Sequence, residues 1–290
     1  MPGIYAARLI LPGSLSEPEI QNIAALFEPL SVSLSVHRGH DGGEWLLQCI
    51  AGRDISMMEL SAVYAGDWAF EKIPDTDWLK KSYKQFPAFS VGPFFIYGSH
   101  HDGEIPKDSL GLQIDAATAF GSGEHGTTKG CLLAMLDLKN AGVCPWNILD
   151  MGTGSGILGI AAWKLWKTPV LAVDNDEEAV RVACRHRELN HVPAGDTDMI
   201  CKAGDGFATR AVQEKKPFDL VIANILAVTL KEMVLDLKAV SDKNGYVILS
   251  GILRTQAAEV LEVYGQSGFT LKGRHDINEW STLVLQNSAA

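Results

Sequence analysis

No stretch of this 290-residue chain is basic enough to follow a nucleic-acid backbone. No apolar run approaches the roughly 20 residues of a membrane span. The formal net charge is −10, so a basic partner is easier to attract than a polyanion. Cysteine is sparse: the five (49, 131, 144, 184 and 201) are scattered and odd in number. None forms C-x-x-C or stands with histidines at zinc spacing, so neither a disulfide framework nor a metal centre is expected. Reduced thiols in a cytoplasmic protein are. The start, Met1-Pro-Gly-Ile-Tyr5, lacks a basic stretch leading into an apolar one, so no secretory leader is expected. What remains is ordinary globular composition, 47% hydrophobic and 21% charged, at a length that suits one large domain or two.

The densest stretch is Ile148-Leu-Asp-Met-Gly-Thr-Gly-Ser-Gly-Ile157. An apolar run from Trp146 to Leu149 predicts a buried strand ending at Asp150. Gly152, Gly154 and Gly156 follow, then a helix to about Leu165. Glycines let backbone approach a ligand at positive φ, and a helix start offers unpaired N–H groups. A second strand, Pro169 to Val173, ends in Asp174, twenty-two positions after Gly152. An acid there is placed to take the two hydroxyls of a ribose. Two cofactors compete. Gly154-Ser-Gly156-Ile-Leu-Gly159 is a literal G-x-G-x-x-G, as in NAD-dependent dehydrogenases. Asp150-x-Gly152-x-Gly154-x-Gly156 is the pattern of S-adenosylmethionine (SAM) methyltransferases. The register favours the second, because the strand runs into Gly152 rather than Gly154. Asp150 is expected to accept from the cofactor's ammonium group, where a pyrophosphate would be repelled.

Residues 1–74 form a separate pattern, strand 4–11, helix from Ser16-x-x-Glu19, strand 31–37, strand 44–50, helix 55–64 and strand 68–73. That order, β-α-β-β-α-β, predicts a ferredoxin-like α+β domain. It carries four Lys/Arg against nine Asp/Glu, which suits recognition of a basic protein. Residues 75–88 are expected to be a linker with a short helix from Asp77 to Phe86. Phe89 to Tyr97 is expected to be a strand, and His100-His101 a solvated turn rather than a metal pair.

From 146 on, strands and helices alternate, which predicts a doubly wound, Rossmann-like parallel sheet. Phe269 to Ile277 and Ser281 to Gln286 are too close for a crossover, so they form a terminal antiparallel hairpin. Asn224 ends the fourth strand, where its carbonyl could accept from an amine or could cap the next helix. Gly121, Gly123 and Gly126 make a loop that leads through Thr127-Thr128 into a helix. His125 in that loop is a candidate general base.

Four stretches together resemble one family, the ribosomal protein L11 methyltransferases. They are Ala119-Phe-Gly-Ser-Gly-Glu-His-Gly-Thr-Thr128, the Asp150 glycine motif, Ala223-Asn-Ile-Leu-Ala227 and Leu249-Ser-Gly-Ile-Leu253. The resemblance implies a methyltransferase domain over residues 89–290 and a substrate-capturing domain over 1–74, with a linker that lets them reorient. It implies SAM-dependent methylation of amino groups, on lysine side chains and an N-terminal amine, of ribosomal protein L11. By motif position Thr128, Gly152, Asp174 and Asn224 should contact SAM, joined by Phe120, Asp150 and Gly154. Asn224 and His125 are the catalytic candidates. The chain departs from the family's habit at Ser122, where Thr is common, and at Gly126, where Pro is. The rival is a SAM-binding ribosome-assembly factor without turnover.

Overall fold

Residues one apart on a strand face opposite ways, and that alternation decides the two larger of the three sheets here. The computed structural model describes residues 4–16, 19, 20, 23, 26, 27, 33–38, 43–51, 60, 64, 66, 68–73, 88–115 and 126–288. The chain forms two compact units, Met1–Gln85 and Phe86–Ala290.

In the first unit β1 (Ile4–Leu11), β2 (Ser33–Arg38), β3 (Trp45–Ala51) and β4 (Trp68–Ile73) make an antiparallel sheet in the order β2-β3-β1-β4. That is the ferredoxin-like strand order. Along β1, Ala7, Leu9 and Leu11 are buried while Arg8 and Ile10 are exposed. Leu47, Cys49, Phe27 and Trp68 complete the core. Ser16 N–H and Oγ both donate to Glu19 Oε2, at 2.8 and 2.6 Å, which is the Glu half of the capping box expected of that spacing. Most of the two expected helices, the Asp41-Gly42 turn and residues 74–87 lie outside the described residues.

The second unit opens with a small sheet of β5 (Phe89–Val91), β6 (Phe94–Tyr97) and β7 (Leu110–Gln113). The expected single strand over 89–97 is two, because Gly92 at φ 55° turns the chain. The rest is α1 (Gly126–Asn140), β8 (Ile148–Met151), α2 (Ile157–Trp166), β9 (Val170–Asp174), α3 (Glu177–Leu189) and β10 (Met199–Ala203). Then come α4 (Arg210–Lys215), β11 (Phe218–Asn224), α5 (Ala227–Glu232), α6 (Val234–Val240), β12 (Ser241–Leu253), α7 (Ala257–Gln266), β13 (Phe269–Ile277) and β14 (Trp280–Asn287). The seven-stranded sheet runs β10-β9-β8-β11-β12-β14-β13. All its pairs are parallel except those of β14.

Ile148, Val170, Ala172, Leu220 and Ile222 face one apolar layer with α1 and α2. Their neighbours Leu149, Leu171, Val173, Val221 and Ala223 face the other layer, with α5, α6 and α7. Both faces of the sheet are therefore covered, which is why its strands are almost continuously apolar.

Two expectations need correction, and one element was not anticipated. β8 starts at Ile148, not Trp146, whose side chain is more than half exposed. The helix expected over 227–239 is broken at Met233 into α5 and α6. Helix α4 was not anticipated, since its six residues are too few to show a period. The terminal antiparallel hairpin forms as expected, turning at Asn278 (φ 53°), with β14 paired to both β12 and β13.

Tyr264 of α7 is fully buried, and its hydroxyl donates to the Leu230 carbonyl of α5 at 2.9 Å. Tyr264→Phe should leave that carbonyl unpaired and lower unfolding stability by about 1–2 kcal/mol, read from denaturant midpoints.

Candidate cofactor and substrate site

The carboxyl ends of β8, β9, β10 and β11 surround one cavity of about 580 Å³. Small-molecule sites generally fall between roughly 300 and 1,000 Å³. Its floor is the glycine crest. Gly152, Gly154 and Gly156 have φ of 71°, 53° and 82°, all in the left-handed region. A Cβ on Gly152 would meet Ile225 Cγ2 at 2.4 Å, so the close approach excludes any side chain there. Gly152 and Thr153 N–H donate to the Val173 carbonyl at 2.8 and 3.0 Å.

Asp174 closes β9 beside the crest. Its Oδ2 accepts from Gly154 N–H at 2.8 Å and its Oδ1 from Asp176 N–H at 3.1 Å. Each carboxylate oxygen keeps a further lone pair, and the residue lines the cavity. Asp205, just past β10, lines it too. Sequence reasoning missed Asp205. Its signal was present, an acid two residues past the end of the third strand.

Asp150 is placed differently from the expectation. It is 1% exposed and is not on the cavity wall. Its Oδ2 accepts from Thr153 Oγ1 at 2.6 Å and from Gly159 N–H at 2.9 Å. Gly156 opens α2 with no side-chain cap, and Gly159 is the third residue of that helix. Asp150 thus caps α2 from a distance, and the positive helix end stabilises its charge. A Cβ on Gly159 would lie 3.0 Å from Asp150 Oδ2 and 2.9 Å from Met199 Cε. That is why glycine stands at 159. The G-x-G-x-x-G match comes from this contact, and a buried carboxylate behind the helix start is a poor base for a pyrophosphate. The reach to a cofactor ammonium expected of Asp150 is corrected accordingly.

Asn224 and Thr128 carry the clearest vacancy in hydrogen bonding. Asn224 lines the cavity, and its Oδ1 is buried without a partner. The alternative that Asn224 caps α5 does not hold, because the cap position is Leu226 and no side chain bonds there. Thr128, in the first turn of α1, also lines the cavity with an unpartnered, buried Oγ1. Two such groups on one cavity wall call for a polar ligand. Behind them, Ser250 Oγ donates to Thr127 O at 3.1 Å and bonds Thr282 Oγ1 at 2.7 Å, tying α1 to β12 and β14. Trp280 and Leu226 flank the opening, and Leu226 is 71% exposed. His125 and Phe120 lie outside the described residues. Among the described residues no group of three metal-ligating side chains occurs, and no helix is long and apolar enough to cross a membrane.

Comparison with known proteins follows the same line. The family model described as ribosomal protein L11 methyltransferase matches residues 44–288. A ribosomal protein L11 methyltransferase of Allorhizobium ampelinum is 43% identical over 216 residues, 74% of this chain and 73% of that one. One from a Caulobacter species is 35% identical over 249 residues, covering 85% and 84%. The crystal structure of a ribosomal protein L11 methylase from Lactobacillus delbrueckii subsp. bulgaricus superposes with a TM-score of 0.61 at 30% identity. It covers 70% of this chain and 100% of that one.

Burial outweighs the two hydrogen bonds at Asp150 and raises its carboxyl from 3.8 to about 6. The folded chain then binds this proton more tightly than the unfolded one. Its contribution to stability is full below pH 3.8 and is lost as pH rises through 6. Asp150→Asn should flatten the stability-versus-pH curve between these limits, by on the order of 3 kcal/mol in denaturant titrations. An unchanged slope would remove Asp150 as its source.

Proposed function

The chain belongs to the ribosomal protein L11 methyltransferase family, and on that premise we propose that it methylates amino groups of ribosomal protein L11 with SAM as donor. The amines are lysine side chains and the N-terminal amine. The observation that carries the reading is the pairing of an unpartnered Asn224 Oδ1 with a glycine crest flanked by Asp174.

The residues fit the cofactor. Asp174 offers acceptor sites for two ribose hydroxyls beside the Gly154 N–H. Asp205 offers an acceptor for an adenine amine. Gly152 keeps a bare backbone beneath Ile225 on the cavity wall, and Thr128 Oγ1 is an unused hydrogen-bonding group. Phe120 in the loop before α1 is proposed as a further contact. When bound, SAM supplies an electrophilic methyl group on a sulfonium.

The chain's own task is then to align the nucleophile. An ammonium has no lone pair, so the target amine must first give a proton to water. Asn224 Oδ1 accepts one of the two remaining N–H groups and so turns the lone pair into the cavity. Near-attack alignment of this kind supplies much of the acceleration in such transfers. No strong base is required, and His125 is the proposed one if a base takes part. The acidic residues of 1–74 would draw the basic substrate, with 75–88 as the linker, and cytoplasm as the place of action.

Asn224→Ala should lower methylation of purified L11 by about 100-fold or more while weakening SAM binding far less. Asp174→Ala should raise the SAM dissociation constant about 10- to 100-fold, the value of one or two charged hydrogen bonds. Labelled SAM incubated with wild-type protein and L11 decides the main reading. Binding without label transfer would favour an assembly factor, and tighter binding of NAD than of SAM would favour a dehydrogenase.

A further inference from the structure

His186 lies in α3, on the far side of the glycine crest from the cavity, and is 1% exposed. Its two ring nitrogens are both engaged. Nδ1 lies 2.7 Å from the Ser155 carbonyl, which can only accept, so Nδ1 carries the proton. Nε2 accepts from the Asp115 backbone N–H at 3.1 Å. Only the neutral ring protonated on Nδ1 makes both bonds. Ser155 stands between Gly154 and Gly156 in the crest. Asp115 follows β7 and is itself held, its carboxylate accepting from Ser99 N–H at 2.7 Å and Ser99 Oγ at 2.8 Å.

The residues around His186 are built as a fixed mount. Asn190, one turn further on, accepts from Gln113 N–H at 2.9 Å and donates to Gln113 O at 2.8 Å. Its Nδ2 also reaches the His186 carbonyl at 2.8 Å. Lys164 of α2 donates to Asn190 Oδ1 at 2.8 Å and to the Gly111 carbonyl. The end of β7 is thereby bound to α2 and α3 by partly buried polar contacts. His186 extends that mount to the crest by its bond to the Ser155 carbonyl.

We propose that His186 is a positioning residue for cofactor binding, its neutral imidazole setting the height of the Ser155 peptide against the fixed end of β7. The proposal rests on the crest being the SAM site. The Ser155 carbonyl is held from behind, so the N–H groups and glycines on the cavity side keep their spacing. Protonation of the ring removes the acceptor at Nε2 and sets a second N–H against that of Asp115. Burial lowers the ring's affinity for that proton. The charged groups facing it among the described residues are Asp115, which opposes this shift, and Arg185 of α3, which adds to it. Arg185 and the Asp115 carboxylate also lie 3.6 Å apart.

Titration calorimetry of SAM against the full chain tests the proposal, at a temperature where circular dichroism shows each variant folded. His186→Asn retains an N–H at the Nδ1 position and loses the Asp115 arm. His186→Gln reaches the Nε2 position and loses the Ser155 arm. Each should weaken SAM binding about tenfold, since a bridge with one arm fixes nothing. In wild type the affinity should also fall as pH drops through the range where His186 gains its proton, and this component should vanish in both variants. Variants that are less heat-stable yet bind SAM as wild type does, with the same pH dependence, would reduce His186 to a structural role. Failure of wild type itself to bind SAM would instead overturn the reading of the site.

Discussion

Backbone at the glycine crest has to come close enough to touch a ligand while its own polar groups stay satisfied. Those demands conflict, because a chain that turns through three left-handed residues cannot pair its N–H and C=O groups regularly. The solution is external support. Val173 receives two crest N–H groups, Asp174 a third, and Asp150 the orphan at the start of α2. A carboxylate sealed from solvent is costly, and the raised affinity of Asp150 for a proton measures that cost. The helix end and the Thr153 hydroxyl offset part of it.

This arrangement separates the two acids that frame the motif. Asp150 is spent on the loop, and Asp174 is shared between the loop and the cavity. The wall opposite is the reverse case. Asn224 and Thr128 keep buried polar atoms without partners, two of six such side-chain atoms among the described residues. At these two positions the unused hydrogen-bonding capacity faces the cavity, where a ligand can take it up.

The sheet was largely legible from sequence. Each central strand is a short apolar run bounded by glycine, proline or an acid, and doubly wound folds leave few ways to connect such runs. Asp174 and Asn224 could be picked out because they end strands. What could not be read depends on contacts far apart in the chain. The remote capping by Asp150 needs Gly159 nine residues on. His186 looked like any polar residue of an amphipathic helix until its partners at positions 115 and 155 were placed beside it. The break between α5 and α6 has no proline or glycine to announce it.

The placement of β14 bears on how the chain comes to be folded at all. As residues 269–277 emerge during synthesis, the neighbour they need does not yet exist, because only residues 280–287 join them to β12. Until β14 is in place, β12 shows an edge of unpaired backbone N–H and C=O groups. A chain in which β14 has not yet docked therefore presents an open sheet edge that another strand could join.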